Sequence, residues 1–386
     1  MKIRKQKTNS VQQPKKWPKI LTAAMALLFI LHSPAVSTPA AAPKKNPSDA
    51  AFLKKIIKEQ EAYGVEGISD MDNARQYGWE KDKNGELRLC RIYWEYTPMH
   101  GAISLKGFPK LKYLHCHNLY RKNGITSLDV SENKNLVELD CAGNQLKSLD
   151  VSKNRNLKKL VCSDNLLKDL DVRKNKKLTE LNCSENKLAR VDISKNKALL
   201  EFDCYKNNIT SLDVAKNSKL RYLNCRGNHL KSLDVRKNKK LDSLVCAWNQ
   251  LEALDLSKNK KLDSLACHDN KLKRLDISKN PKLSNLQCSN NGLQAFDVSK
   301  NPKLETLNCS KNALTSLDIS KNPKLETLDC SKNNLASLDI RMNRNLTYLN
   351  CKKNSLTSLD ASNSPSSTML VCDDGVDVIF PQPLLD

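Results

Sequence analysis

Fourteen cysteines stand in this chain of 386 residues, and twelve of them recur at an interval of 21: Cys141, Cys162, Cys183, Cys204, Cys225, Cys246, Cys267, Cys288, Cys309, Cys330, Cys351 and Cys372. Thiols can cross-link, bind metal or act as nucleophiles, and an even count in an exported chain invites disulfides. The periodicity points elsewhere. A catalytic residue would break a period rather than keep it, and a zinc site needs four converging ligands. If the units stack as strands about 4.8 Å apart, the Cα atoms lie close enough for bridges. Parallel side chains in register nonetheless suit a disulfide torsion near 90° poorly. The spacing therefore predicts a ladder of free, buried thiols that act as small apolar groups.

A second candidate ligand set is the triplet His115, Cys116 and His117. Two histidines at i and i+2 share a strand face. No carboxylate and no third histidine lies in the same repeat, so the triplet reads as two surface histidines beside a buried cysteine, and no metal is assigned. The chain holds no glycine-rich phosphate loop, no G-x-S-x-G, no H-E-x-x-H and no isolated Cys/His pair. Its aspartates and serines are themselves periodic. No catalytic residue and no cofactor is predicted.

The elements that would position these groups follow from the repeat itself. Reading from Leu157, one unit is LKKLVCSDNLLKDLDVRKNKK, and the general form is L-x-x-L-x-C-x-x-N-x-L-x-x-L-D-[VIL]-S-K-N-x-x. Cys116 opens the series, with four extra residues before Cys141. A period of 20–29 with this pattern is a leucine-rich-repeat signature, here from about 103 to 374. Leu160 and Cys162 are two apart and so point to one face of a short strand. Leu157, Leu167, Leu170 and Val172 complete the apolar set, which one unit cannot bury alone and stacked units can. An asparagine recurs three residues after each cysteine, as Asn144, Asn165, Asn186, Asn207, Asn228, Asn249, Asn270, Asn291, Asn312, Asn333 and Asn354. A side-chain amide both donates and accepts, so these residues should form an internal ladder. Replacing a central member should cost about 1–3 kcal/mol through unsatisfied buried groups.

The second half of the unit, SLDVSKN, is too short for a helix and reads as an extended or tightly turned convex segment, which makes the solenoid β-rich. Asp150, Asp171, Asp192, Asp213 and Asp234 recur there with Lys153, Lys195, Lys258, Lys279, Lys300 and Lys321. Alternating charge of this kind looks like a solvated face. Pro281, Pro302 and Pro323 sit in the following turn, where fixed φ and a missing N–H are tolerated.

These residues resemble the internalin-J-type leucine-rich repeats of bacterial surface proteins, in which a cysteine replaces a consensus leucine. The resemblance implies a curved, right-handed solenoid with a parallel β-sheet on the concave face and a stacked cysteine ladder. The stretch YGWEKDKNGELRLCRI (Tyr77 to Ile92) and the following MHGAISL resemble the capping entry of such arrays, with Met99 in place of the usual leucine. Cys90 falls outside the 21-residue register and is excluded from the ladder. The ending VCDDGVDVIFPQPLLD carries no wall-sorting motif, and Gly375 replaces the asparagine, as befits a terminal strand and cap.

Upstream, seven basic residues precede an apolar run, Ile20 to Leu31, and a small-residue stretch. That is the layout of a secretory signal peptide, and about 12 apolar residues fall short of a ~20-residue span. Cleavage after Ser37, with Ala35 at −3, fits. The domain reading is a signal peptide over 1–42, a linker and cap over 43–102, the array over 103–374 and a C-terminal cap over 375–386. Residues 48–62 look like an amphipathic helix, capped by Ser48 or Asp49, whose apolar face of Phe52, Leu53, Ile56 and Ile57 covers the first coil.

The net charge of +23 falls to +16 once the seven cations of 1–42 are set aside. Export argues against nucleic acid as the partner. Outward strand positions offer the binding surface, and one stretch is rich in aromatic and basic side chains of the kind found at interface hot spots: Glu201, Asp203, Tyr205, Tyr222, Asn224, Arg226, Trp248 and His268. The expectation is a monomeric, non-enzymatic scaffold outside the cytoplasm, whether secreted, periplasmic or at the cell surface. It would bind a protein or a glycan on its concave face, with no transmembrane span in the mature chain. The alternative is a structural envelope protein held electrostatically to anionic glycan or lipid through its basic convex face.

Overall fold

The computed structural model describes residues 43–95, 97–118 and 124–380. The expected leader over 1–42 lies outside them, as do residues 381–386 of the expected C-terminal cap.

Each coil is built from a few positions. Leu157, Leu160, Cys162, Leu167 and Val172 are fully buried and Leu170 nearly so, which leaves room for a strand of only three residues. Successive coils repeat this set, so their apolar side chains form one continuous core from Leu53 to Ala361. A fifteen-stranded sheet runs along one side of it.

An N-terminal helix, α1 (Pro47–Glu61), comes first. It is followed by β1 (Tyr77–Lys81), β2 (Leu87–Tyr93), β3 (Gly101–Ser104), β4 (Tyr113–His115) and β5 (Ile125–Asp129). The regular coils supply β6 (Glu138–Asp140), β7 (Lys159–Val161), β8 (Glu180–Asn182), β9 (Glu201–Asp203), β10 (Tyr222–Asn224), β11 (Ser243–Val245), β12 (Ser264–Ala266), β13 (Asn285–Gln287), β14 (Thr306–Asn308), β15 (Thr327–Asp329) and β16 (Tyr348–Asn350). The last coils add β17 (Ser358–Asp360), β18 (Met369–Val371) and β19 (Asp377–Ile379). Only β1–β2 is antiparallel; from β2 through β4, β6–β16 and β18 every pair is parallel and in register, as in Leu223↔Leu244↔Leu265. The sheet thus begins inside the segment read as linker and cap.

The helix starts one residue earlier than the sequence suggests and is capped by neither Ser48 nor Asp49. Pro47 presets the first-turn φ, and the Asn46 side chain accepts from Asp49 N at 3.2 Å. Asp49 is instead fully buried, where its carboxylate takes two hydrogen bonds from the Arg88 guanidinium (2.7 and 2.9 Å) and one from Leu89 N (2.9 Å). This pins the helix to β2. Leu53, Ile56 and Ile57 are buried, and Phe52 meets Phe108 edge-on at 5.2 Å. Gly107 makes that contact possible, because a Cβ there would lie 2.3 Å from the Phe52 ring.

Candidate functional site

Three side-chain ladders fix the coils relative to one another and so fix the surface they display. The first is the cysteine series. From Cys116 to Cys351 each member is buried, and no cysteine among the described residues is bridged. Burial in apolar surroundings pushes these thiols up, Cys267 to about 12 and Cys204 and Cys225 well above their ordinary value. Cys372, at the end of the row, is half-buried, and its Sγ lies 3.3 Å from that of Cys351. Cys90 lies outside the ladder: its Sγ donates to Gly78 O at 3.1 Å, while Trp94, fully buried, fills the coil position that cysteine occupies elsewhere.

The second ladder is the expected asparagine row. Asn165 Nδ2 donates to Cys141 O, Cys162 O and Ser163 O at 3.0–3.2 Å, and its Oδ1 accepts from Leu146 N at 2.9 Å. Each asparagine therefore joins its own coil to the preceding one. The third ladder escaped the sequence reading. Asn133, Asn154, Asn175 and their equivalents to Asn343 are completely buried on the opposite side of the coil. Asn154 Nδ2 donates to Val130 O and Asn133 O, both at 2.9 Å, and its Oδ1 has no protein partner. The signal was the constant N of S-K-N, which held while its neighbours varied.

On the convex side the aspartates stay exposed but bond to the backbone of their own turn rather than to the lysines. Asp150 Oδ1 accepts from Ser152 N at 2.8 Å, and Asp192, Asp255 and Asp276 repeat the bond. Where arginine follows, the pairing is bidentate: Arg173–Asp171, Arg236–Asp234 and Arg341–Asp339, each with one contact at 2.8 Å. These arginines hold their aspartates down at about 2. The charges are solvated, as the alternation implies, but the aspartates are engaged by their turn or by arginine rather than by the lysines.

The strand face carries the candidate site. Tyr222 stands beside Glu201 and Asn224 beside Asp203 across the β9–β10 pair. Asn224 Nδ2 donates to Asp203 Oδ2 at 3.1 Å. Burial raises both the Asp203 carboxyl and the Tyr222 phenol above their usual ranges. One position on, the Arg226 guanidinium lies 5.6 Å from the Tyr205 ring centre. His268 extends the row, its Nδ1 2.6 Å from Asp269 Oδ2.

Trp248 does not share that strand face. It lies two residues after its cysteine, not one, and occupies the turn with φ 54°. The same left-handed slot holds Asp164, Glu185, Lys206, Asp269, Asn290, Lys311, Lys332 and Lys353, with glycine at Gly143 and Gly227. The indole is 54% exposed at the edge of the sheet and is tied to the His268 coil by Trp248 N→His268 O at 3.0 Å. Between these larger groups the face is low. The register Tyr222↔Ser243↔Ser264↔Asn285 and Asn224↔Val245↔Ala266↔Gln287 puts only small side chains on β11 and β12. Ala247 is fully buried, and the buried Ser243 hydroxyl has no hydrogen-bond partner. Three strand steps of ~4.8 Å make the depression about 14 Å wide.

The histidine triplet is also corrected. Carboxylates from neighbouring coils enclose it: His115 Nδ1 is 2.8 Å from Glu95 Oε1 and Nε2 is 3.1 Å from Glu138 Oε1, while the ring stacks on Tyr93 at 4.2 Å. His117 Nδ1 lies 3.5 Å from Asp140 Oδ2. Lys159 continues the network to Glu138 and Glu180 at 3.7 and 3.3 Å. No three groups among the described residues converge on a metal position. Burial alone would depress His115, but its contacts with Glu138 and Glu95 outweigh it and hold the imidazole above its usual value.

Known proteins share this architecture. A leucine-rich-repeat family pattern, in two copies, matches residues 302–341. The functional domain of InlJ from Listeria monocytogenes, a structure that includes a cysteine ladder, is 36% identical over 71% of this chain, with a TM-score of 0.67. The match spans 60% of that domain's length. The internalin InlF of the same organism is 16% identical over 90% of this chain and 96% of its own, with a TM-score of 0.61. A leucine-rich-repeat protein of Leptospira interrogans is 20% identical over 67% and 85%, with a TM-score of 0.52. The last two likenesses concern the fold alone. No curated protein sequence matches the chain.

Proposed function

Since this chain is an internalin-J-like leucine-rich-repeat solenoid with a cysteine ladder, we propose that it is a non-enzymatic scaffold that binds a protein partner along its strand face outside the cytoplasm. The observation that carries the reading is the depression over β11 and β12. It is floored by the half-buried Ser243, Val245, Ser264 and Ala266 and flanked by Tyr205, Tyr222, Arg226, Trp248 and His268. Large amphipathic groups around a low floor are how hot spots are built, because the rim excludes water from whatever side chain fills the centre. The export part of the reading rests on the basic, apolar and small segments of residues 1–42.

Cross-linking pull-down of the protein identifies a partner, and titration then tests the site. Combined Tyr205→Ala, Tyr222→Ala and Trp248→Ala should weaken that partner by at least ~30-fold, as loss of one strong hot spot of ~2 kcal/mol would, with the far-ultraviolet dichroism unchanged. Filling the floor with Ser243→Trp should do the same. Equal affinity of wild type and triple variant removes the assignment.

A further inference from the structure

A second surface lies on the opposite side of the coils. The lysine of S-K-N recurs in nine consecutive coils, from Lys153 to Lys321. Since the strands are in register, these ammonium groups form a line with one charge per ~4.8 Å step. The aspartates that would neutralise them are held elsewhere, on the amides of Ser152, Ser194, Ser257 and their equivalents or on Arg173, Arg236 and Arg341. Among the described residues, no carboxylate lies within ion-pair distance of any of the nine lysines. The line deepens at one place into an open cleft of about 650 Å³ lined by Arg155, Arg173, Lys174, Lys176, Lys177 and Lys195. Six cations and no acid line it; Arg173 is paired with Asp171 outside it.

We infer that this lysine line is a binding track for an extended anionic polysaccharide carrying one acid group per sugar. The inference is independent of the partner proposed for the strand face. A single file of cations running along the solenoid matches a linear polymer of regularly spaced charges. A bilayer presents a plane of headgroups and rewards apolar insertion, yet along this line from Lys153 to Lys321 the turns expose lysine, serine, asparagine and proline only, apart from the paired arginines, Arg155 and two alanines, Ala198 and Ala215. Grooves for single-stranded nucleic acid add aromatic platforms for base stacking, and none of these turns has one. Lysine suits the role as a mobile point charge that follows carboxylate or sulfate without demanding bidentate geometry.

The test uses polygalacturonate, one carboxylate per sugar, in fragments of increasing length. Binding should tighten with length as more coils are engaged, and weaken steeply with salt. Its methyl ester, the same chain without charge, should not bind. Lys174→Gln, Lys195→Gln and Lys216→Gln together, all at exposed positions, should weaken binding roughly tenfold. The Tyr205, Tyr222 and Trp248 alanine variant should bind the polysaccharide as wild type does. Unchanged affinity of the glutamine variant, length-independent binding, or tighter association with phosphatidylglycerol vesicles at equal charge concentration each overturns the inference.

Discussion

Two buried asparagine ladders run through the same coils, and they should not be equally important. Asn228 and Asn238 belong to one coil and lose the same atoms on substitution by alanine, so volume terms cancel between them. Asn228→Ala removes Nδ2 bonds to Cys204 O and Cys225 O (3.0 and 3.1 Å), and it also removes the Oδ1 that accepts from Ile209 N at 3.0 Å. The carbonyls keep one donor each, from Asn207 and Asn249. The Ile209 N–H keeps none, and a buried unsatisfied donor costs ~1–3 kcal/mol beyond the ~1 kcal/mol of each lost bond. Asn238→Ala removes bonds to Val214 O and Asn217 O, both at 2.9 Å, but these carbonyls still accept from Asn217 N and Leu220 N at 3.0 Å. It also deletes an Oδ1 that has no protein partner, which offsets part of the loss. The expected costs are about 3–5 kcal/mol for Asn228→Ala and about 1–2 kcal/mol for Asn238→Ala. Urea unfolding measures both, with amide exchange of Ile209 as a local readout in case the array opens in parts. If Asn238→Ala is as costly as Asn228→Ala, reasoning from donor and acceptor satisfaction is refuted, and packing governs instead.

Four further outcomes follow from the same geometry. Alkylation of the native protein followed by mass spectrometry should label Cys372 ahead of Cys141 to Cys330, because the latter are buried and their thiols raised; uniform labelling would show that the ladder breathes. Gly143→Ala should cost at least ~2 kcal/mol in thermal or urea unfolding, since its Cβ would fall 2.1 Å from Asn118 O. Gly227→Lys, at the same left-handed slot with 3.5 Å of clearance and Lys206 as its precedent one coil earlier, should be tolerated within ~1 kcal/mol. Finally, His115 titrates above its ordinary value, so its contribution to stability is complete below about 6.5 and is lost as pH rises through the raised folded value. Glu138→Gln should bring the imidazole pKa, read by NMR, back down; no change would exclude the Glu138 contact as its cause.

The parts of the molecule written in the period were legible from sequence. The cysteine spacing, the Leu160/Cys162 alternation and the Asn165 row describe interactions between one residue and its copy a coil away, so a one-dimensional pattern states them fully. Three features were hidden for physical reasons. The Asn154 row sits among lysines, and its local polarity masked a burial that only stacking creates. Glu95 and Glu138 reach His115 from coils on either side, and the insertion around 118–124 breaks the count that would have aligned them. Trp248 was counted with the outward strand positions beside the cysteine, yet it lies two residues after Cys246, and that one residue of offset moves a side chain from sheet to turn. At the N-terminus, local capping preferences pointed to Ser48 or Asp49, and a tertiary partner, Arg88, claimed Asp49 instead.

The division of labour within a coil bears on what the protein can do. The cysteine fills the core of each coil, both asparagines join it to its neighbour and the aspartate satisfies its own turn, so the positions left over can change without endangering the fold. Against that background the left-handed slot is informative. Its backbone is common to all the regular coils, so φ 54° at Trp248 is no special strain of that site. What is unusual is the side chain. Lysine, aspartate, asparagine, glutamate or glycine fills the slot elsewhere, and the polar members can remain solvated there. An indole 54% exposed at the edge of a depression floored by serine, valine and alanine leaves much of a large apolar surface in water. Folding alone gives no reason for a tryptophan there, and contact with a partner gives one, because desolvating a large aromatic side chain is where interfaces gain most of their free energy.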